Sequence, residues 1–101
     1  MKLLFLIKMP AKKYNSVARD GTAAKTIDRI LEEAKPETVY ALLAEGQRAI
    51  AMVVNVKEES DIPALAEPWL LSFNAEVRVH PVLSHEGLKK SGLDSLAKKW
   101  S

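Results

Sequence analysis

The first strand candidate of this chain, "LLFLIKM" at residues 3–9, is apolar on both of its sides. Alternate residues of a strand point to opposite faces. One face carries Leu3, Phe5, Ile7 and Met9, and the other carries Leu4 and Leu6. Lys8 and Pro10 end the apolar run, which is too short for a signal-peptide core or a membrane span. A strand that is apolar on both faces needs cover on both faces.

Size and composition narrow the class of protein. A chain of 101 residues is enough for one domain with one core, and we expect a single domain over 1–101. Its 15 basic and 13 acidic residues are mixed along the sequence, so no basic surface for nucleic acid is expected. The absence of cysteine excludes disulfides, thiolate metal sites and a Cys nucleophile, and is typical of a reducing compartment. We predict a cytoplasmic protein without a membrane partner.

Helical and strand patterns alternate along the rest of the chain. Apolar residues at helical spacing predict a helix from Thr22 to Lys35, with an earlier start at Asn15 or Ser16 left open, so residues 10–21 can be loop or helix. Residues 37–56 predict a hairpin whose turn contains Gly46, because a tight turn needs positive φ.

The second half of the chain repeats the helix and strand pattern. Ser60 is expected to cap a helix that continues towards Phe73, with a kink or break at Pro68. Asn74 suits a left-handed position before a last strand at 75–83. Ser84 begins a helical tail, residues 84–101, which Gly92 interrupts.

The element order β-α-β-β-α-β fits one simple topology. Short connections and right-handed crossovers predict an α+β ferredoxin-like sandwich, in which a four-stranded antiparallel sheet in the order 4-1-3-2 carries both helices on one face. The helices then cover the bulky side of the sheet.

The other side of this sheet is half apolar and half charged. In "FNAEVRVHPVL", residues 73–83, Glu76, Arg78 and His80 alternate with Val77 and Val79. The face opposite the helices therefore shows Leu4, Leu6, Lys8, Ala49, Ala51, Val53, Asn55, Glu76, Arg78 and His80. Such a surface is unusual in water and costly in a sealed core. We predict a homodimer in which two such faces pack together as a barrel, with an apolar centre and a polar rim.

The chain also resembles a known group of proteins. The element order, "KPETVYALLAEGQRAIAMVVNV" at 35–56 and "IPALAEPWLLSFNAEVRVHPVL" at 62–83 are similar to small bacterial proteins in a family of unknown function, related to the dimeric α/β-barrel superfamily. That superfamily includes muconolactone isomerase, antibiotic-biosynthesis monooxygenases, stress-responsive barrel proteins and YCII-like proteins. The resemblance implies fold and dimerisation but no reaction, because one fold hosts many functions.

Few residues are candidates for chemistry. His80 can be an acid or base, a ligand contact, or a hydrogen-bonded strand histidine. Glu76 and Arg78 can form an ion pair along the strand or across the dimer, or bind substrate. His85 follows the predicted capping residue Ser84, so we expect it to be a solvated residue in the first turn of that helix. No spacing of His and carboxylates suggests a metal site, and no cofactor is expected.

Further polar residues are candidates for a ligand-binding rim. Lys8 and Asn55 can form an anion-binding edge or reach for water as strand-end residues. Tyr40 and Arg48 are expected near one another in the hairpin. In "NSVARDGT", Asn15, Arg19 and Asp20 are pocket-rim candidates if the segment is a loop. The same segment is a solvated face if it is helical.

Three functions fit these observations. The first is a homodimeric binding or accessory protein for a small, anionic or aromatic molecule. The second is a cofactor-independent isomerase or oxygenase acting on a cyclic substrate, with His80 as base and Arg78 stabilising an enolate-like oxygen. This alternative requires His80 to border an open cavity. The third is a structural or interaction dimer without a ligand.

Overall fold

The computed structural model describes residues 1–101, which form one antiparallel sheet with helices on one side. The strands are β1 (Lys2–Met9), β2 (Thr38–Ala44), β3 (Gln47–Asn55) and β4 (Glu76–Pro81), and the helices are α1 (Ala11–Arg19), α2 (Ala23–Ala34), α3 (Ile62–Phe73), α4 (His85–Lys90) and α5 (Leu93–Lys99). The strand order is β2-β3-β1-β4, which is the predicted order read from the other edge. The predicted α+β ferredoxin-like fold is confirmed. None of the helices has the length and apolar character needed to span a membrane.

The core lies between the sheet and its covering helices. Phe5 and Ile7 of β1 and Met52 of β3 are fully buried there, against Trp69 and Phe73 of α3. Burial of side chains this large contributes roughly 1.5–3 kcal/mol each. The ring centroids of these two aromatic residues of α3 lie 6.2 Å apart, and Trp69 is fully buried in the core.

The hairpin turn follows from two residues with positive φ. Glu45 has φ 52° and Gly46 has φ 78°, while Ala44 pairs directly with Gln47 across the turn. Positive φ at both central positions is typical of the two-residue turn whose twist matches that of the flanking strands. The turn fixes the register, and with it which hairpin residues face the helices.

The segment at residues 10–21, left open by the sequence, is mostly helix. Pro10 precedes α1 with φ −57°, a value that proline adopts without cost. Gly21, at φ 83°, separates α1 from α2, so the alternative of one helix running through Gly21 is wrong. The half-buried residues Tyr14 and Val17 pack against the core and hold α1 to the body.

Around α3, the predicted cap at Ser60 is wrong, the kink or break expected at Pro68 does not take the form of a break, and the prediction for Asn74 is confirmed. The helix runs without a break from Ile62 to Phe73 although Pro68 lies inside it. A short 3-10 turn, Glu59–Asp61, precedes α3 and contains Ser60. The cap of this turn is a reciprocal interaction between Glu58 and Asp61, so Ser60 is not the capping residue. Asn74 takes the expected left-handed conformation with φ 53° and ends the helix before β4.

The C-terminal segment forms an arm that extends from the body. We use "the arm" for residues 83–101, all of which are exposed except the half-buried Gly87. Ser84 caps α4 through its hydroxyl oxygen, which accepts a hydrogen bond from the Gly87 amide at 3.0 Å, as predicted. Gly92 separates α4 from α5 at φ 73°. The Cα radius of gyration is 16.7 Å, against about 13 Å for a compact chain of this length.

Candidate ligand-binding site

The strand register brings the predicted polar residues of β4 next to β1. His80 lies opposite Leu4, Arg78 opposite Leu6, and Glu76 opposite Lys8. Ala49, Ala51 and Val53 of β3 continue the same rows on the other side of β1. Directly opposed residues share one face of a sheet. The helix-free side of the sheet, which we call the open face, therefore has the predicted composition.

Lys8 is the buried charge of the open face. Its side chain is only 7% exposed, and its ammonium group lies 3.7 Å from the Glu76 carboxylate and donates to the carboxylate of Glu45. Arg78 lies 3.2 Å from the other oxygen of Glu76. The hydrogen bond from Lys8, followed by its charge, lowers the pKa of Glu45 below its usual range. This cluster stabilises a buried ammonium group that is costly without partners.

The predicted anion-binding edge does not form. Lys8 pairs with Ala49 at one end of β3, whereas Asn55 pairs with Lys2 at the other end. Asn55 donates to Glu37, and Lys2 lies 3.0 Å from the same carboxylate group. Because the two predicted residues lie at opposite ends of the sheet, they cannot contact one small anion together.

His80 lacks the surroundings that a catalytic base needs. Its side chain is exposed on the open face, it forms no hydrogen bond, and no cavity of the chain includes it. His85 begins α4 and is also exposed, in agreement with its interpretation as a solvated residue.

A cavity of about 550 Å³ opens on the opposite, helix-covered side of the sheet. We call it the β2 pocket, because β2 forms its outer wall; α1, α2, β3 and the end of β1 form the rest. All its lining residues except Asp28 and Arg48 are apolar or aromatic: Met9, Tyr14, Ala24, Ile27, Asp28, Ala41, Leu42, Leu43, Arg48, Ala49 and Ile50. A small-molecule site is usually an apolar cleft of about 300–1,000 Å³ with few polar groups. The β2 pocket has this character.

Arg48 is the oriented polar group of the β2 pocket. Its guanidinium carbon lies 4.4 Å above the centre of the Tyr14 ring, and its Nη1 donates to Oδ1 of Asn15 at 2.8 Å. Stacking and hydrogen bonding together hold the planar group in place. The expected proximity of Tyr40 and Arg48 is wrong. Tyr40 pairs with Ala51, three residues from Arg48, so the two side chains lie on opposite faces of the sheet.

The predicted rim segment contributes one residue to the site. Asn15 does not line the β2 pocket itself, but its amide oxygen accepts a hydrogen bond from Arg48, which does. Arg19 ends α1 and is exposed, outside the pocket lining. Asp20 accepts hydrogen bonds from the hydroxyl and the amide of Thr22, which lower the pKa of the Asp20 carboxyl. Asp20 therefore stabilises the junction of α1 and α2 rather than a ligand site.

Sequence reasoning missed the pair of Tyr14 and Arg48. The available signal was the spacing of Tyr14 and Val17 after Pro10, which fits one apolar edge of a helix that begins at the proline. A helix there brings Tyr14 over the end of β1, where Met9 pairs with Arg48. The contact between Tyr14 and Arg48 thus depends on two features of the tertiary structure, the hairpin register and the path of α1.

A second cleft, of about 510 Å³, lies between α2 and α3. Ile30 is its only aliphatic residue apart from Pro68, and the rest of its lining is polar: Thr22, Lys25, Thr26, Arg29, Glu33 and Ser72. Such a polar surface provides little apolar contact for a ligand. The β2 pocket is the better candidate site.

Comparison with known proteins supports the fold. The chain is similar in structure to 5-chloro-2-hydroxyhydroquinone dehydrochlorinase (TftG) from Burkholderia phenoliruptrix AC1100, solved in complex with 2,5-dihydroxybenzoquinone. The TM-score is 0.65 at 13% sequence identity, over 85% of this chain and 97% of that chain. No protein-family model and no curated protein matches the chain. The ferredoxin-like relationship is confirmed, while the resemblance to a narrower bacterial family stays a prediction.

Proposed function

We propose that the protein is a homodimeric α/β-barrel protein that binds a small molecule with an apolar body and an anionic group. The observation that carries the proposal is an oriented arginine, Arg48, in the β2 pocket, whose other lining residues are apolar or aromatic apart from Asp28. The pocket walls match an aromatic or aliphatic body, and a guanidinium group matches a carboxylate or phosphate.

The hydrogen bonding of Arg48 leaves capacity for a ligand. Only Nη1 has a protein acceptor, the amide oxygen of Asn15, and no carboxylate forms an ion pair with Arg48. A guanidinium group has five N–H donors. The stacking on Tyr14 fixes its plane in advance, which reduces the entropy that ligand binding would cost.

Dimerisation through the open face explains the other side of the sheet. Leu4, Leu6, Ala51 and Val53 form a half-buried apolar centre that nothing in the chain covers. A twofold axis parallel to the strands pairs this centre with its copy and sets β4 of each subunit against β2 of the other. That arrangement closes the two sheets into a barrel and removes their exposed edges. The family resemblance in the sequence also favours it.

The arrangement of the residues favours binding over catalysis. An isomerase or oxygenase on this chain would need His80 beside the substrate, and His80 lies on the opposite side of the sheet from the β2 pocket. Within the chain, the pocket itself offers Asp28, Arg48 and Tyr14 but no histidine.

The binding proposal is tested with matched small molecules. Thermal shift and calorimetry with benzoate, 2-naphthoate and their neutral amides should show stabilisation by the carboxylates and weaker binding of the amides. Arg48→Gln should weaken carboxylate binding by about tenfold or more, since a hydrogen bond to a charged group contributes roughly 1.5–3 kcal/mol.

Arg19→Gln is the matched control, because Arg19 is exposed outside the pocket, and it should bind as the wild type does. If no carboxylate stabilises the protein, or if Arg48→Gln binds as tightly as wild type, the proposed site is wrong.

A further inference from the structure

The arm contains large apolar side chains that nothing in its own chain covers. Leu88, Leu93, Leu96 and Trp100 are between 42% and 79% exposed. No hydrogen bond or ion pair joins residues 83–101 to the rest of the chain; the last contact of this kind is the Val82 amide, which donates to the Lys2 carbonyl at 3.1 Å. Leu93, Leu96 and Trp100 share one edge of a helix at spacings of three and four residues. A chain of this size rarely leaves such an edge in water.

A second uncovered apolar surface lies at the far edge of the sheet. On the helix side of β2, Val39 is 40% and Leu43 is 76% exposed, with the exposed Ala41 between them. We call these three residues the β2 ledge. Ala41 and Leu43 line the β2 pocket, and Val39 continues their row along β2. The pocket is therefore incomplete on that side.

We propose that the arm of each subunit crosses to the other subunit and covers its β2 ledge, so that the partner completes the wall of the β2 pocket. The inference rests on the dimer in the proposed function. In that dimer β4, from which the arm leaves, lies against β2 of the partner. Pro81, the last residue of β4, is opposite Leu3, and Thr38, the first residue of β2, lies at the same end of the sheet.

The arm cannot easily cover the ledge of its own subunit. β4 and β2 are opposite edges of the sheet, three strand spacings or roughly 14 Å apart, and the covering helices fill the side between them. The partner's ledge lies at the adjoining edge in the closed barrel. The path from β4 to the partner's ledge is therefore shorter than the path to the ledge of the same subunit.

Charge also favours the exchange. The arm carries Lys89, Lys90, Lys98 and Lys99 near its helix ends, and none of them forms an ion pair in the chain. Asp28 lines the β2 pocket, and Glu32 lies one helical turn further along α2. Neither acidic residue has an ion-pair partner. Covering the ledge brings lysines of the arm towards these two carboxylates.

The size of the open face supports an additional contact. Four strands of about six paired residues cover roughly 19 by 20 Å, or about 400 Å² in projection. A standard interface buries about 800 Å² of accessible surface on each partner. The exchanged arms supply further apolar area that the sheet faces alone do not provide.

Cysteine crosslinking tests the contact, since the natural chain has no cysteine. In the full-length double variant Leu93→Cys with Val39→Cys, mild oxidation should give a covalent dimer on a non-reducing gel. The control pair, Leu93→Cys with Lys12→Cys, places the second thiol on exposed α1 and should crosslink at least tenfold more slowly. A monomeric product with an internal disulfide, or equal rates for both pairs, would overturn the exchange.

Trp100 provides an independent measurement. In a Trp69→Phe background, acrylamide should quench Trp100 several-fold less in the dimer than in a monomeric Leu6→Asp variant. If the protein is dimeric but Trp100 is equally quenched in both, the exchange is wrong while the dimer stands. If the wild type is monomeric, the dimer itself is wrong and the exchange fails with it. Protection of Trp100 only on addition of phosphatidylserine vesicles would make the arm a membrane contact and refute the exchange.

Discussion

The two faces of the sheet use the same strands for different purposes. Towards the helices, Phe5 and Ile7 are fully buried within the chain. On the open face, their neighbours Leu4 and Leu6 are only half-buried and lie beside the charged rows of β4. The difference shows that β1 provides apolar area beyond what the folding of one chain covers. One face stabilises the fold, and we propose that the other stabilises an assembly.

The largest effect on stability is expected on the buried face of β1. Phe5→Ala should lower the free energy of unfolding by about 3–5 kcal/mol, because it empties a fully buried aromatic site. Urea denaturation monitored by circular dichroism measures the loss. Leu71→Ala, at a site 76% exposed, is the control and should change stability by no more than about 0.5 kcal/mol. Equal losses in the two variants would contradict the assignment of the core.

Substitutions on the open face should separate assembly from folding. Leu6→Asp or Val53→Asp places a carboxylate in the apolar centre of the proposed interface, and should give monomers or insoluble protein, since burying an unpaired charge is costly. Analytical ultracentrifugation measures the mass. Lys57→Asp, at an exposed site, should leave the dimer intact. Wild-type protein that is monomeric at micromolar concentration would refute the dimer.

The smallest effect should come from the edge of the open face. The folded-state pKa of Glu45 is lowered, so its ion pair with Lys8 stabilises the protein above the usual glutamate pKa of about 4.3. That contribution is lost as the pH falls through the lowered value. Glu45→Gln should therefore reduce stability slightly at neutral pH and flatten the loss of stability in acid.

Denaturation with urea across this pH range tests the expectation. Glu67→Gln, at an exposed carboxylate without an ion pair, is the control and should keep the wild-type slope. An unchanged slope in Glu45→Gln would show that the contact with Lys8 does not persist in solution.

The sequence predicted the sheet well because strand patterns are local. Alternation in β1, β3 and β4 identified which residues share a face, and Gly46 identified the turn that sets the register. Of the kink or break expected at Pro68, the break does not occur, because the burial of Trp69 and Phe73 holds α3 together and tertiary packing of this kind overrides the local cost of a proline.

The candidate site was much harder to predict than the fold. Arg48 and Tyr14 are 34 positions apart, and their contact depends on the path of α1 over the end of β1. The spacing in the sequence instead suggested Tyr40 as the neighbour of Arg48, since both lie in the hairpin. A shift of the strand pairing by one residue moves each hairpin side chain to the other face of the sheet, and composition alone does not determine that pairing.

The ion pairs of the open face have a consequence for how two identical surfaces can meet. Three cations, Lys2, Lys8 and Arg78, are matched within the same subunit by three carboxylates, Glu37, Glu45 and Glu76. An unmatched charge near a twofold axis would face its own copy and repel it. In the proposed dimer these three cations are already paired with carboxylates of their own subunit, so their repulsion across the twofold axis is reduced and ionic strength should have little effect on association.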